Sequence, residues 1–283
     1  MTPDIPYTLN LQGKLIDLST PQVMAIVNAT PDSFYSESRF LKDKRVLEYV
    51  EQSLADGAII IDVGAYSTRP MAQYIPEEEE LNRLKPLLKL IRRHFPDINI
   101  SVDTFRPTIA EYVVDEYNVQ MVNDISGGEQ DVRMFETIAN LNVAYVLMHM
   151  RGTPDTMQQS TNYAHLISDI LAYFRLRIEK LVTLGVKDIV IDPGFGFSKT
   201  LDQNYELLSG FSCLQQLGFP ILVGMSRKSM IYKLLDIIPD QALNGTSTLN
   251  TIALLNGANI LRVHDVKEAV ETIKIVDKYF SQI

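Results

Sequence analysis

Asn123 and Asp192 have the side chains best suited to read a nitrogen heterocycle. A carboxylate accepts two N–H bonds side by side and an amide offers a donor beside an acceptor, so the pair suits an aminopyrimidinone edge of the guanine or pterin kind. Lys228 could donate to a ring carbonyl or ring nitrogen, and Asp103 could hold another ring nitrogen or offset positive charge developing beside it. Arg69, Arg262 and His264, with Thr68 and Asn28, form the set a diphosphate needs. Guanidinium forks match phosphate oxygens, and an amide oxygen can ligate Mg²⁺. Taken singly, an Asp or Asn of this kind is more often a helix N-cap. Here such groups recur after one apolar run after another.

Those runs are Val23–Val27, Ala58–Val63, Ile98–Val102, Gln120–Asn123, Val143–Met148, Asp188–Ile191, Ile221–Val223 and Asn259–Val263. Each is short and continuous, as expected of a strand buried on both faces. Helical patterns lie between them: Lys44–Asp56, Glu77–His94, Thr108–Tyr117, Tyr163–Leu184, Asp202–Leu217, Leu243–Asn256 and Val266–Phe280. Before the first run, Tyr7–Leu18 alternates about Gly13 like a β-hairpin. Eight βα units in 283 residues predict one (β/α)₈ TIM barrel spanning 1–283, with a short N-terminal β-hairpin and its chemistry at the strand C-termini.

A net charge of −9 argues against nucleic-acid and membrane-surface partners, which need a basic field. Any anionic substrate must be held by a few placed Arg and Lys residues. The lone Cys213 excludes an internal disulfide and reads as a small buried apolar residue. His149 reads as a core histidine, and the acidic run Glu77–Glu80 as the first turn of a helix. No leader or long apolar span is apparent, so a cytoplasmic, soluble protein is expected. Gly194-Phe195-Gly196 lacks the third glycine of a dinucleotide fingerprint, Gly224-Met225-Ser226 lacks the last glycine of a nucleophile elbow, and no His/Cys cluster has zinc spacing.

The segments Asn28–Phe34, Ser67–Pro70, Ser101–Thr104, Asn123–Gly128, Asp192–Phe197, Gly224–Ser229 and Arg262–Val266, in this order and at successive strand ends, resemble the dihydropteroate synthase family along nearly the whole chain. The resemblance implies condensation of (7,8-dihydropterin-6-yl)methyl diphosphate with 4-aminobenzoate, with Mg²⁺ on the leaving group, in a homodimer of folate biosynthesis that sulfonamides target. It implies a pterin pocket of Asp103, Asn123, Met148, Asp192 and Lys228. It places Asn28, Thr68, Arg69, Arg262 and His264 on the diphosphate, Asn28 also on the metal, and Ser226, Lys228, Phe197 and Pro70 around the aminobenzoate. Asp103, Lys228, Arg262, Arg69 and Asp32, the last from the first loop, would carry the catalysis. The chain departs from the commonest family pattern at Ala65-Tyr66 and Met71 in the second connection, and at Arg151, which is expected to be exposed. A methyltetrahydrofolate-dependent methyltransferase would not need Thr68-Arg69 or Arg262-Val263-His264. An inactive pterin-binding paralogue would be expected to have lost loop residues that are present here.

Overall fold

The computed structural model describes residues 7–28, 39–66 and 75–282. Strands β1 (Thr8–Leu11) and β2 (Lys14–Asp17) form an antiparallel hairpin. Eight parallel strands follow: β3 (Gln22–Asn28), β4 (Ile60–Gly64), β5 (Asn99–Asp103), β6 (Met121–Asp124), β7 (Ala144–Met148), β8 (Ile189–Asp192), β9 (Leu222–Val223) and β10 (Ile260–Val263). Their order is β8-β7-β6-β5-β4-β3-β10-β9, and a parallel bridge between Ile191 and Ile221 joins the two ends into a barrel. The expected TIM barrel with its hairpin is therefore the observed fold.

The helices pack outside: α1 (Arg39–Ala55), α2 (Glu77–His94), α3 (Pro107–Tyr117), α4 (Met134–Leu141), α5 (Leu166–Thr183), α6 (Leu201–Ser209), α7 (Ser229–Leu235), α8 (Leu243–Leu255) and α9 (Val266–Phe280). Outward strand residues such as Val23, Ile61, Ile100, Tyr145 and Ile191 join the helices in one large apolar layer. Inward residues Met24, Ile60, Met121, Val146, Val190 and Leu222 fill the lower lumen, where Leu9, Leu11 and Leu18 of the hairpin segment close the barrel floor.

Period two then dictates the upper lumen. Counting by twos from Met24, Ile60, Met121, Ala144, Val190 and Ile260 places Asn28, Asp62, Asn123, Met148, Asp192 and Arg262 on the inner face. The register sets Asp103 beside both Gly64 and Asn123, and Met148 beside Asp192. Alternation also separates Asn123 from its neighbour Asp124. The Asp124 carboxylate takes bonds from Tyr145 Oη (2.6 Å), Ser126 N and Oγ (both 2.7 Å) and Gly128 N (2.8 Å), so it braces the turn after β6.

Three expectations are corrected. The helix expected over Asp202–Leu217 breaks at Gly210 into α6 and a 3₁₀ segment, Phe211–Leu217. A Cβ on Gly210 would stand 2.8 Å from the Ile167 side chain, so α5 packs where only glycine fits. In the 3₁₀ segment Phe211 and Leu214 point inward at i and i+3, which turns Cys213 outward: it is exposed, not buried. Arg151 is only partly exposed, because its guanidinium lies over the Tyr163 ring (3.8 Å) and bonds Asn162 O (2.7 Å) and Asp169 (3.1 Å).

Candidate active site

The upper lumen holds one connected polar network. Arg262, half-buried on β10, donates from Nε to Asp62 Oδ2 (2.7 Å) and from Nη2 to Asp103 Oδ2 (3.1 Å). Asn123 Nδ2 donates to the same Asp62 oxygen at 3.1 Å. One guanidinium fork thus bridges carboxylates from two neighbouring strands, a geometry a lysine could not copy. Among the described residues, the other Asp62 oxygen and Ser101 Oγ are buried there without a hydrogen-bond partner.

Burial pushes the Asp103 carboxyl up to about 7; Arg262 opposes this, while Asp62, Glu80 and Asp124 reinforce it. Burial likewise raises Asp192 against the pull of Lys228, the Gly194 N–H, Arg262 and Lys199. Lys228 is half-buried: Nζ donates to Phe195 O (2.6 Å) and stands 4.6 Å from the Phe197 ring centre. Burial draws it down to about 8, with Asp192 opposing. Two acids and a base have thus moved toward neutrality at one end of the barrel, the pattern of a reactive site.

An apolar wall faces these groups, made of Ile125, Met148, Met150, Met157 and Phe197 with Phe105 behind. On the rim, the His264 N–H donates to Ser226 Oγ (3.3 Å), and Ser226 Oγ lies 3.0 Å from His264 Nδ1. This pair fixes the orientation of the imidazole ring at the rim, with Nε2 left on the far side of the ring from Ser226. Asn28 ends β3 opposite Gly64, where a Cβ would stand 3.5 Å from its Oδ1 and 3.4 Å from Asp103 Cβ; the glycine lets the amide and the carboxylate approach.

The structure therefore brings Asn28, Asp103, Asn123, Met148, Asp192, Phe197, Ser226, Lys228, Arg262 and His264 to the C-terminal mouth of one barrel. Asp32, Thr68, Arg69, Pro70 and Met71 lie outside the described residues. Beside the second connection, Tyr66 is buried edge-on to Phe105 (5.4 Å between ring centres), and Arg106 bonds both Ile75 O (2.6 Å) and buried Glu80 (2.5 Å). Glu80 is thus the inward member of an otherwise exposed acidic turn.

Sequence reasoning missed Asp62 and Lys199. A carboxylate inside an apolar strand run was the available signal for Asp62; Lys199 gave none, because a lysine after a strand ordinarily points to solvent.

The polar network lies at the C-terminal mouth of a closed eight-stranded barrel, where enzymes of this fold carry their active sites. The family model described as "pterin binding enzyme" matches residues 24–264. The dihydropteroate synthase of Haemophilus influenzae is 39% identical over 94% of this chain and 97% of its own, and that of Escherichia coli 38% over 95% of each. The Yersinia pestis dihydropteroate synthase solved with a sulfonamide drug superimposes with a TM-score of 0.89 at 40% identity, covering 97% of this chain and 100% of that one. The Xanthomonas albilineans enzyme solved with 4-aminobenzoic acid gives 0.88 at 32%, covering 97% and 98%. The chain belongs to the dihydropteroate synthase family of pterin binding enzymes.

Proposed function

We propose that the barrel mouth joins (7,8-dihydropterin-6-yl)methyl diphosphate to 4-aminobenzoate, giving 7,8-dihydropteroate and diphosphate, a transferase step of folate biosynthesis. The single observation that carries the residue assignment is the gathering of Asp103, Asn123 and Asp192 on the lumen face near the strand ends, beside an apolar wall that includes Met148. Asp192 and Asn123 take the aminopyrimidinone edge, Lys228 donates to the ring, and Asp103 holds a ring nitrogen.

An arylamine is neutral at pH 7 and needs no strong base, so the barrier lies in parting the methylene carbon from the diphosphate oxygen. That C–O bond breaks first; the amine nitrogen then bonds the methylene, and its proton leaves to water or diphosphate. Arg262 and Arg69 take up charge on the departing group with Thr68 and His264, while Asp103 and Asp32 offset the cation left on the pterin. Phe197, Ser226, Lys228 and Pro70 surround the arene.

For the metal, Asn28 supplies a neutral oxygen at the strand end, and among the described residues no group of three His, Cys, Asp or Glu could hold an ion alone. That hard, neutral oxygen fits Mg²⁺, which Asn28 would help to hold. Bound there, it would neutralise negative charge on the leaving group.

Two results test this assignment. Asp103→Asn lowers kcat by about 10²-fold while pterin affinity changes less than about tenfold, because the lost interaction grows in the transition state; equal losses by calorimetry and turnover contradict the role. The profile of kcat/KM against pH is a narrow bell: activity falls below about 7 as Asp103 gains a proton, and above about 8 as Lys228 loses one. Asp103→Asn removes the acid limb; a wild-type profile without that limb speaks against it.

No described helix is long and apolar enough to cross a membrane. The net charge of −9 favours small-molecule partners over nucleic acid, and a cytoplasmic setting is part of the same reading. The unit 1–283 is read as one barrel domain. Exposed Leu234, Leu235, Leu255, Ile275, Tyr279 and Phe280 on α7, α8 and α9 support a homodimer through that face, as their combined apolar area asks for cover.

A further inference from the structure

After β8 the chain winds through three left-handed residues, Gly194 (φ +69°), Gly196 (φ +82°) and Ser198 (φ +45°). A Cβ on Gly194 would overlap the His149 carbonyl, and one on Gly196 would press the Lys228 side chain at 3.1 Å. Lys199 closes this turn from below and is only 3% exposed. Its Nζ donates to Gly194 O (3.0 Å) and Phe197 O (3.1 Å) and lies 3.1 Å from His149 Nδ1. Three acceptors for three ammonium protons make a complete set, with the imidazole Nδ1 bare. The His149 ring itself is packed against Tyr173 at 4.7 Å.

The same turn carries the carboxylate that reads the heterocycle. Asp192 Oδ1 accepts the Gly194 N–H (2.8 Å), and Asp192 O accepts the His149 N–H (2.9 Å). Lys199 therefore holds the carbonyl of the same glycine whose N–H holds Asp192, and the carbonyl of Phe197 at the far end of the turn, without bonding the carboxylate. An ordinary buried lysine would be costly at such a place; here its charge acts on a carboxylate that the site uses in its ionised form.

We propose that Lys199 is a positioning residue for pterin recognition: its ammonium pins the Gly194 and Phe197 carbonyls and supplies part of the positive charge that keeps Asp192 an acceptor of two N–H bonds. This inference rests on the reading of Asp192 as the ring-binding carboxylate. Asp192 faces Lys228, Arg262 and Lys199, and Lys199 faces Asp192, Lys228, Arg151 and His149. Removing Lys199 leaves Asp192 with two cations instead of three, so its proton is held to higher pH. Burial draws Lys199 itself down to about 7, so its charge acts chiefly at and below neutrality. Asp103, which faces Arg262, Asp62, Glu80 and Asp124, titrates alike with or without Lys199 and cancels in a comparison.

The experiment is the affinity for 6-hydroxymethyl-7,8-dihydropterin, by fluorescence, of wild type, Lys199→Met and Lys199→Gln at about pH 6 and about pH 9, with thermal unfolding to establish folding. Gln keeps donors for the two carbonyls without charge and serves if the Met variant does not fold. The expected result is a loss of about tenfold or more at the lower pH for both variants, shrinking to about threefold or less at the higher, since one pKa unit corresponds to tenfold. A loss equal at both pH values, as a purely structural role gives, or no loss at either, overturns the inference while leaving the site intact. Wild type that binds no pterin at either pH overturns the reading of Asp192 and the inference with it.

Discussion

Replacing Asp192 by alanine removes pterin binding by about 10²- to 10⁴-fold, the value of two charge-assisted hydrogen bonds at roughly 1.5–3 kcal/mol each. The carboxylate sits on the lumen face of β8 beside Met148, and one of its oxygens is already oriented by the Gly194 N–H. Because that oxygen is held by the backbone, the acceptor is in place before substrate arrives and little ordering remains to oppose binding. Asp192→Asn is expected to do almost as badly, because it turns one acceptor into a donor facing a ring N–H. Isothermal titration with a dihydropterin reads both variants. A loss under about tenfold for alanine would mean that the ring is read elsewhere.

Arg262→Met lowers kcat/KM by about 10³-fold, as expected when a cation aimed at developing charge is removed from a sheltered site. Its second effect distinguishes it from a simple loss of phosphate affinity. Arg262 bonds Asp62 and Asp103 together, so its removal leaves two buried carboxylates facing each other without their shared cation. Arg262 is the chief influence holding the raised Asp103 down; without it, the acid limb of the pH profile moves well above 7. Arg262→Lys does not restore activity, since a point charge cannot serve two carboxylates and a diphosphate at once. Recovery by lysine, or an unmoved acid limb, would contradict this assignment.

The architecture was readable because parallel strands buried on both faces leave short apolar runs with helices between them, and nothing in the barrel overrides that pattern. α9 runs from Val266 to Phe280 as the periodicity predicts. The helix α4, eight residues long, escaped notice because its pattern spans barely two turns, and α7 because it is shorter still. The described site residues were legible as polar groups ending apolar runs. What was not legible is what holds them. Asp62 is one polar residue inside an apolar strand run until the register with β3 and β5 sets it in the lumen, within reach of Arg262 and Asn123. Lys199 looks solvated until the left-handed turn folds two carbonyls over it. Arg151 looks exposed because its partner Asp169 is 18 residues away, on a helix whose position only the packing decides. Cys213 faces outward because the inward positions of this segment are Phe211 and Leu214, between which it falls on the opposite side.

The central claim is that this chain joins a dihydropterin methyl diphosphate to 4-aminobenzoate through the Asp192 site. The most direct measurement is turnover of the purified protein with both substrates and Mg²⁺, following dihydropteroate by mass and diphosphate by a coupled assay, with Asp192→Ala alongside. Equal amounts of the two products from wild type, and neither from the variant, are predicted. Pterin binding without product, or product formation that survives the loss of Asp192, would contradict the account.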